Sequence, residues 1–291
     1  AFRLPEVYSS GHSGFVYGGS GLAFNPGKNS LFMVGNDVFQ EVAEVAVPEI
    51  RKPSPGTSNL ATARLLQPFV DMTEGRRLTV NPGDPNAIKL GGLLPYRDKL
   101  YATAYAYYDG AGTQVLSHFV SGLDLSVKGD IAGPYRVGAP KAGYVSGYMG
   151  LVPQAWQAAL GGPVLNGQCC LNIVGRTSYG PALFTIDPTD IGVKNPAPAT
   201  ALVYYPGDHP LGEYRGTSQY YNGATMVKGV VFPEGTRSVL LFGRHGEVFC
   251  YGPGTGDKSK AGKPATDIGD TADPWCYDPT DSSKGGHAYP Y

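Results

Sequence analysis

Gly92-Leu93-Leu94-Pro95-Tyr96-Arg97-Asp98-Lys99-Leu100-Tyr101-Ala102-Thr103 is the stretch on which the fold turns. A glycine opens an apolar run, Tyr96-Arg97-Asp98 supplies a turn, and a second apolar run returns, which reads as a tight β-hairpin. The pattern occurs four times. Gly21-Leu22-Ala23-Phe24 turns through residues 25–29 into Ser30-Leu31-Phe32-Met33-Val34. Gly229-Val230-Val231-Phe232 turns through residues 233–237 into Ser238-Val239-Leu240-Leu241-Phe242. Gly150-Leu151-Val152-Pro153 is a looser copy, with an insertion of about fifteen residues before Cys170-Leu171-Asn172-Ile173-Val174. A glycine beside an apolar β-run marks close approach of one backbone to another, as where innermost strands crowd a shared axis.

Neighbouring copies start 71, 58 and 79 residues apart, and each interval holds about four short strands with loops. Residues 41–47 alternate with period two, as a half-exposed outer strand does. Residues 114–120, 182–186 and 248–251 are its counterparts. The pattern resembles β-propeller repeat proteins over almost the whole chain, without the WD dipeptide, kelch double glycine or Asp-box of a named family. The expectation is therefore an all-β chain: a β-propeller of four or five blades, each a four-stranded antiparallel sheet. One domain would span 1–291, with blades near 18–80, 88–143, 144–206 and 225–291. Residues 1–17 could complete the last blade and 286–291 begin a further strand, but a full fifth blade lacks residues. Either the ring has four blades or the chain is shortened.

Charged residues make up 16% of the chain, below the ~25% of an ordinary soluble domain, while 42 glycines and 25 prolines exceed a fifth of it. Both residues punctuate short strands and interrupt long helices. The net charge of −1, without a run of five basic residues, argues against nucleic acid as a partner. No stretch of 18 apolar residues offers a membrane span. Twenty tyrosines against two tryptophans suggest a surface of hydroxylated aromatics. The sequence opens at Ala1 without an initiator Met or an apolar leader, which fits a processed mature protein or a trimmed fragment. The expected location is secreted or extracellular, at a bacterial cell surface or in the periplasm.

A disulfide between Cys250 and Cys276 would close a polar loop of ~25 residues and contribute roughly 3 kcal/mol. Cys169 and Cys170 are adjacent, with side chains on opposite faces of a strand, and read as two buried thiols. The polar loop also carries Asp267, Asp270, Asp273, Asp278 and Asp281. Calcium takes its oxygens from such segments, although the spacing is not that of an EF-hand and acidic loops are more often simply solvated. No other cofactor is expected. H-E-x-x-H, G-x-S-x-G and a strand-borne G-x-G-x-x-G are absent from the sequence.

In a propeller, loops from every blade emerge around one mouth. That geometry would gather Asn36 and Asp37, Tyr107, Tyr108 and Asp109, Arg176, Thr177, Ser178 and Tyr179, and Arg244 and His245. Arginine forks, tyrosine faces and carboxylates suit a polyhydroxylated ligand; ordinary tight turns with paired arginines are the plainer reading. His118, on an apolar strand, reads as a satisfied core residue. Asp37 and Asp109, with Glu247 as a third group, are the candidates for a pair of catalytic carboxylates. Three functions follow as expectations: a binding module for carbohydrate or another extracellular polymer, a glycan-active hydrolase or lyase, and a self-assembling structural protein. Near-zero net charge permits the last, and an unpaired strand edge would give it a contact.

Overall fold

In the computed structural model, which describes residues 1–7, 14–52, 54, 56–81, 87–169, 176–213, 221–223, 225–245, 248–251, 257, 259–260 and 287–290, the chain is all-β. Strands β1 (Leu22–Asn25), β2 (Ser30–Val34), β3 (Val42–Ala46) and β4 (Leu65–Val70) form one antiparallel sheet. A second contains β5 (Ile88–Tyr96), β6 (Lys99–Ala106), β7 (His118–Gly122) and β8 (Ala132–Tyr135). The third contains β9 (Met149–Leu151), β10 (Val164–Asn166), β11 (Leu183–Ile186) and β12 (Ala199–Val203). In each, strands pair in chain order. Three two-stranded sheets follow: β13 (Gly212–Glu213) parallel to β14 (Tyr221–Asn222), β15 (Met226–Val231) with β16 (Leu240–Arg244), and β17 (Val248–Tyr251) antiparallel to β18 (His287–Pro290). No helix among the described residues is long and apolar enough to cross a membrane.

The chain packs as two compact units. One comprises Ala1–Cys170, Pro181–Tyr204 and Val227–Phe242; the other comprises Leu171–Gly180, Tyr205–Met226 and Gly243–Tyr291. Within the first unit, three of the four glycines stand where their strands touch a neighbouring sheet. A Cβ on Gly21 would meet Val34 Cγ2 at 2.7 Å and Leu93 Cγ at 3.2 Å, so β1 lies against β5. One on Gly92 would overlap the carbonyl of Gly147, just ahead of β9. One on Gly150 would meet Val230 Cγ1 at 2.8 Å, which sets β9 against β15. Lys228 Nζ, on β15, then donates to Ser20 Oγ at 2.7 Å, beside the start of β1. Gly229 is the exception: its nearest neighbour is Phe242 Cβ at 3.6 Å, across its own hairpin.

Apolar side chains fill the spaces between successive sheets. Phe32, Val34 and Val42 meet Leu90, Leu93 and Phe119 between the first and second. Leu94 and Tyr101 meet Val164, Phe184 and Ile186 between the second and third. Leu165 and Leu183 meet Val227, Val230 and Leu241 of the β15–β16 hairpin. Burial of a side chain of this size contributes about 1.5–3 kcal/mol.

Several sequence expectations change. The return strand of the third copy is β10, at Val164–Asn166, and residues 170–174 lie outside the described set. The insertion before it forms a helix, α1 (Gln154–Leu160), from the good helix formers Gln, Ala and Leu. Gly161, at φ 82°, ends it in the left-handed conformation that glycine adopts without a Cβ penalty. Strand β3 forms where expected, but Val42, Ala43, Glu44 and Val45 are all buried rather than alternately exposed. Glu44 tolerates this because Asn25 Nδ2 donates to it at 3.0 Å, Gln67 Nε2 at 2.6 Å and Ser30 Oγ as well, with Lys28 Nζ 3.5 Å away. Burial pushes its pKa up, and the donors from Ser30, Gln67 and Asn25 with the charge of Lys28 outweigh it, leaving the carboxyl below its ordinary value.

Residues 114–117 precede β7 instead of belonging to it; Gln114 uses its side chain to hold Ala104, Ala106 and Leu116. Near the N-terminus, Arg3 exchanges backbone bonds with Ala61 and Ala63, ahead of β4 in the first sheet.

Replacing Gly92 by Ala is expected to destabilise the protein by about 3 kcal/mol, because backbone, which cannot rotate away, occupies the Cβ position. Gly229→Ala should cost less than about 1 kcal/mol. Urea unfolding of the two variants measures the difference; equal losses would remove the close approach of β5 to the segment before β9.

Candidate functional site

The loop between β2 and β3 is pinned at three points. Asn36 Oδ1 accepts from the Val38 amide at 2.9 Å, the local turn that asparagine favours. Its Nδ2 donates to Val16 O at 2.9 Å, and the Asp37 amide donates to Tyr17 O at 2.7 Å. Two surface loops are thereby joined, presenting Tyr17 at 82% and Val38 at 78% exposure. Gln40, buried and at φ 58°, fixes the base of the loop. Its Nε2 donates to the Asp37 carbonyl at 2.6 Å and to Asp37 Oδ1 at 3.2 Å, while its Oε1 accepts from the Leu90 amide at 2.6 Å. A left-handed conformation is uncommon for a residue with a Cβ, and three hydrogen bonds hold this one in place.

Those bonds set Asp37 beside β5, where Lys89 forms an ion pair with Asp37 Oδ2. Lys89 Nζ also stands 5.0 Å from the centroid of the Tyr107 ring, within reach of a cation–π attraction. Tyr107 meets Tyr108 edge to face, with centroids 4.6 Å apart and planes at 87°. Tyr108 is 64% exposed. The result is a continuous line of contacts from Tyr17 through Asp37, Lys89 and Tyr107 to an open aromatic face.

Asp109 sits next in sequence but serves a different purpose. Its buried carboxylate accepts from the amides of Thr113 at 2.7 Å and Gln114 at 3.0 Å, and from Thr113 Oγ1 at 3.1 Å. It closes its own loop, and both oxygens are engaged there. Asp37, for its part, is neutralised by Lys89.

Arg176, Thr177, Ser178 and Tyr179 belong to the second unit and are buried, as are their turns. Ser178 Oγ accepts from the Tyr205 amide at 2.8 Å, and the Tyr179 amide donates to Tyr205 O at 3.0 Å. The Tyr205 ring touches His209 and Tyr221, each at 4.7 Å, and Tyr221 touches His245 at 5.5 Å. Burial, with Tyr205 alongside, raises the pKa of Tyr221. Arg244 and His245 are exposed. The residues expected around one mouth thus divide: Asn36, Asp37, Tyr108 and Asp109 fall in the first unit, and Arg176, Ser178, Tyr179, Arg244 and His245 in the second.

Glu247, Asp267, Asp270, Asp273, Asp278, Asp281 and Cys276 lie outside the described residues, and Cys250 is described only as backbone opposite Ala288 on β18. Cys169 is buried and disulfide-bonded, so it is not the free thiol expected. Among the described residues no group of three or more His, Cys, Asp or Glu could hold a metal ion. Gln40 and Lys89 belong to no motif that marks them as site residues in the sequence. A lysine within the apolar run Ile88-Lys89-Leu90 was the available signal for the second; nothing local marked the first.

His118 is a core residue, as expected. On β7, its Nε2 lies 2.9 Å from Asn166 Oδ1 on β10, and its Nδ1 2.8 Å from Ser117 Oγ. Asn166 Nδ2 donates to Tyr148 O at 3.2 Å, which leaves its Oδ1 for the ring, so Nε2 donates and Nδ1 accepts. No family model, curated protein or solved structure matches the chain.

Burial pulls the His118 pKa from 6.5 down to about 4, against the opposing bond from Asn166. Between these values the unfolded chain binds a proton that the folded one refuses, so stability rises with pH through this window and is flat above it. Full protonation of the unfolded imidazole alone removes about 3 kcal/mol. Denaturant midpoints from pH 7 down to pH 4 should therefore fall less for His118→Gln than for the wild type; parallel curves would contradict a neutral buried imidazole.

Proposed function

We propose that this chain is a secreted β-propeller whose loops bind carbohydrate or another extracellular polymer. The propeller arrangement draws support from the sequence of contacts β1 to β5, β5 to the segment before β9, and β9 to β15, with the Lys228–Ser20 bond returning to the start. The binding reading rests on one observation: the exposed ring of Tyr108 at the end of the Asp37–Lys89–Tyr107 line. Aromatic faces stack on the C–H faces of sugars, and flanking polar groups orient the hydroxyls. Glycan hydrolysis draws less support, because it needs two available carboxylates and Asp109 is engaged by its own loop.

A second reading, self-assembly, is favoured by two unpacked sheet faces. Leu22 pairs across the strands with Met33, and Phe24, 52% exposed, pairs with Leu31, all on one face of the first sheet. On the β15–β16 hairpin, Leu240 and Phe242 are likewise exposed, Phe242 at 53%. Sheet faces of this kind mark contacts when they are contiguous.

On a broad glycan panel, binding is expected for the wild type, and Tyr108→Ala should weaken it about tenfold without moving the melting temperature. Silence across the panel would count against the binding reading. Light scattering that rises with concentration, and is abolished by Phe24→Glu or Phe242→Glu, would move the assignment to self-assembly.

A further inference from the structure

We propose that the Asp37–Lys89–Tyr107–Tyr108 surface selects an uncharged polyhydroxylated ligand, a neutral pyranose polymer, over uronate-bearing or sulfated ones. This rests on the binding reading above and adds the ligand's charge class to it.

The argument is one of charge balance. Lys89 and Asp37 neutralise each other, and their side chains are only 25% and 38% exposed. The ammonium is held on a second side by the Tyr107 ring at 5.0 Å. Asp37 is held on its second oxygen by Gln40, which is itself anchored to the backbone of Leu90, the residue after Lys89. The pair is therefore preorganised by a buried amide that bonds both the loop carrying Asp37 and the strand carrying Lys89. Asp109, the other described carboxylate next to these tyrosines in the chain, is buried and accepts three hydrogen bonds within its own loop.

Among the described residues of this surface, the face of Tyr108 and the further hydrogen-bonding capacity of one neutral ion pair are open to a ligand. An ammonium has three donors and a carboxylate about four acceptor sites, so hydroxyl groups can add to the pair without parting it. A ligand carboxylate or sulfate must compete with Asp37 for Lys89 and would leave Asp37 facing a like charge. A ligand cation meets the converse penalty from Lys89. Hydroxyls on the ion pair and C–H groups against Tyr108 satisfy both features at once.

The test is titration calorimetry of the full chain with neutral oligosaccharides and with uronate or sulfated oligosaccharides of matched linkage, at about 50 mM and about 500 mM salt. Neutral ligands should bind with an affinity that changes by less than about twofold with salt, since no ligand charge is screened. Lys89→Met should weaken neutral binding by about tenfold, and Lys89→Arg, which keeps the pair with Asp37, should retain most of it. Melting curves for both variants separate loss of binding from loss of fold. Tighter binding of acidic ligands with strong salt dependence would overturn the charge class while leaving the binding reading intact. Absence of binding to either class, in wild type and variants alike, would overturn the binding reading itself.

Discussion

Close approach of backbone to backbone is the constraint on which the first unit depends. Gly92 on β5 leaves no room for a Cβ beside the Gly147 carbonyl, and that carbonyl also accepts from Thr103 Oγ1 at 2.8 Å. Gly147 in turn has no room for a Cβ beside the Gln168 carbonyl. Three successive layers of main chain are thus in contact where side chains would ordinarily intervene. Beyond these close approaches, the space between neighbouring sheets is filled by the apolar clusters described above.

Polar side chains complete what the clusters begin. Gln67 donates both to Glu44 and to Leu123 O, and accepts from the Leu125 amide, so one amide joins the first sheet to a loop of the second. His118 and Asn166 do the same between β7 and β10. Such groups are costly to bury singly but fix register when every donor and acceptor is matched. Gln40 belongs to this set, and the surface formed by Asp37, Lys89 and the tyrosines follows from its position: the same bonds that join two sheets also orient an ion pair toward solvent.

Much of the architecture could be read locally. The hairpins at Gly21, Gly92 and Gly229 were legible because apolar runs flank turn residues within about ten positions. The third hairpin was displaced because a helix of ordinary helix-forming residues, bounded by Pro153 and Gly161, interrupts it, and Cys170 onward looked equally strand-like. The position of strand β3 is legible but its burial is not, since Glu44 has the appearance of an exposed residue until Asn25, Ser30 and Gln67 are brought to it from three other strands.

The sequence by itself determined that the chain would be built of short antiparallel strands, and that Tyr108 and Asp37 stand at loop ends, because turn chemistry and period-two hydrophobicity act over a few residues. Only the tertiary structure decided that Asp109 closes its own loop, that Arg176 and Tyr179 are buried, and that Lys89 reaches Asp37 across 52 residues. These depend on which neighbour arrives first at a donor or acceptor. That outcome is fixed by the packing of separate segments, which no local pattern records.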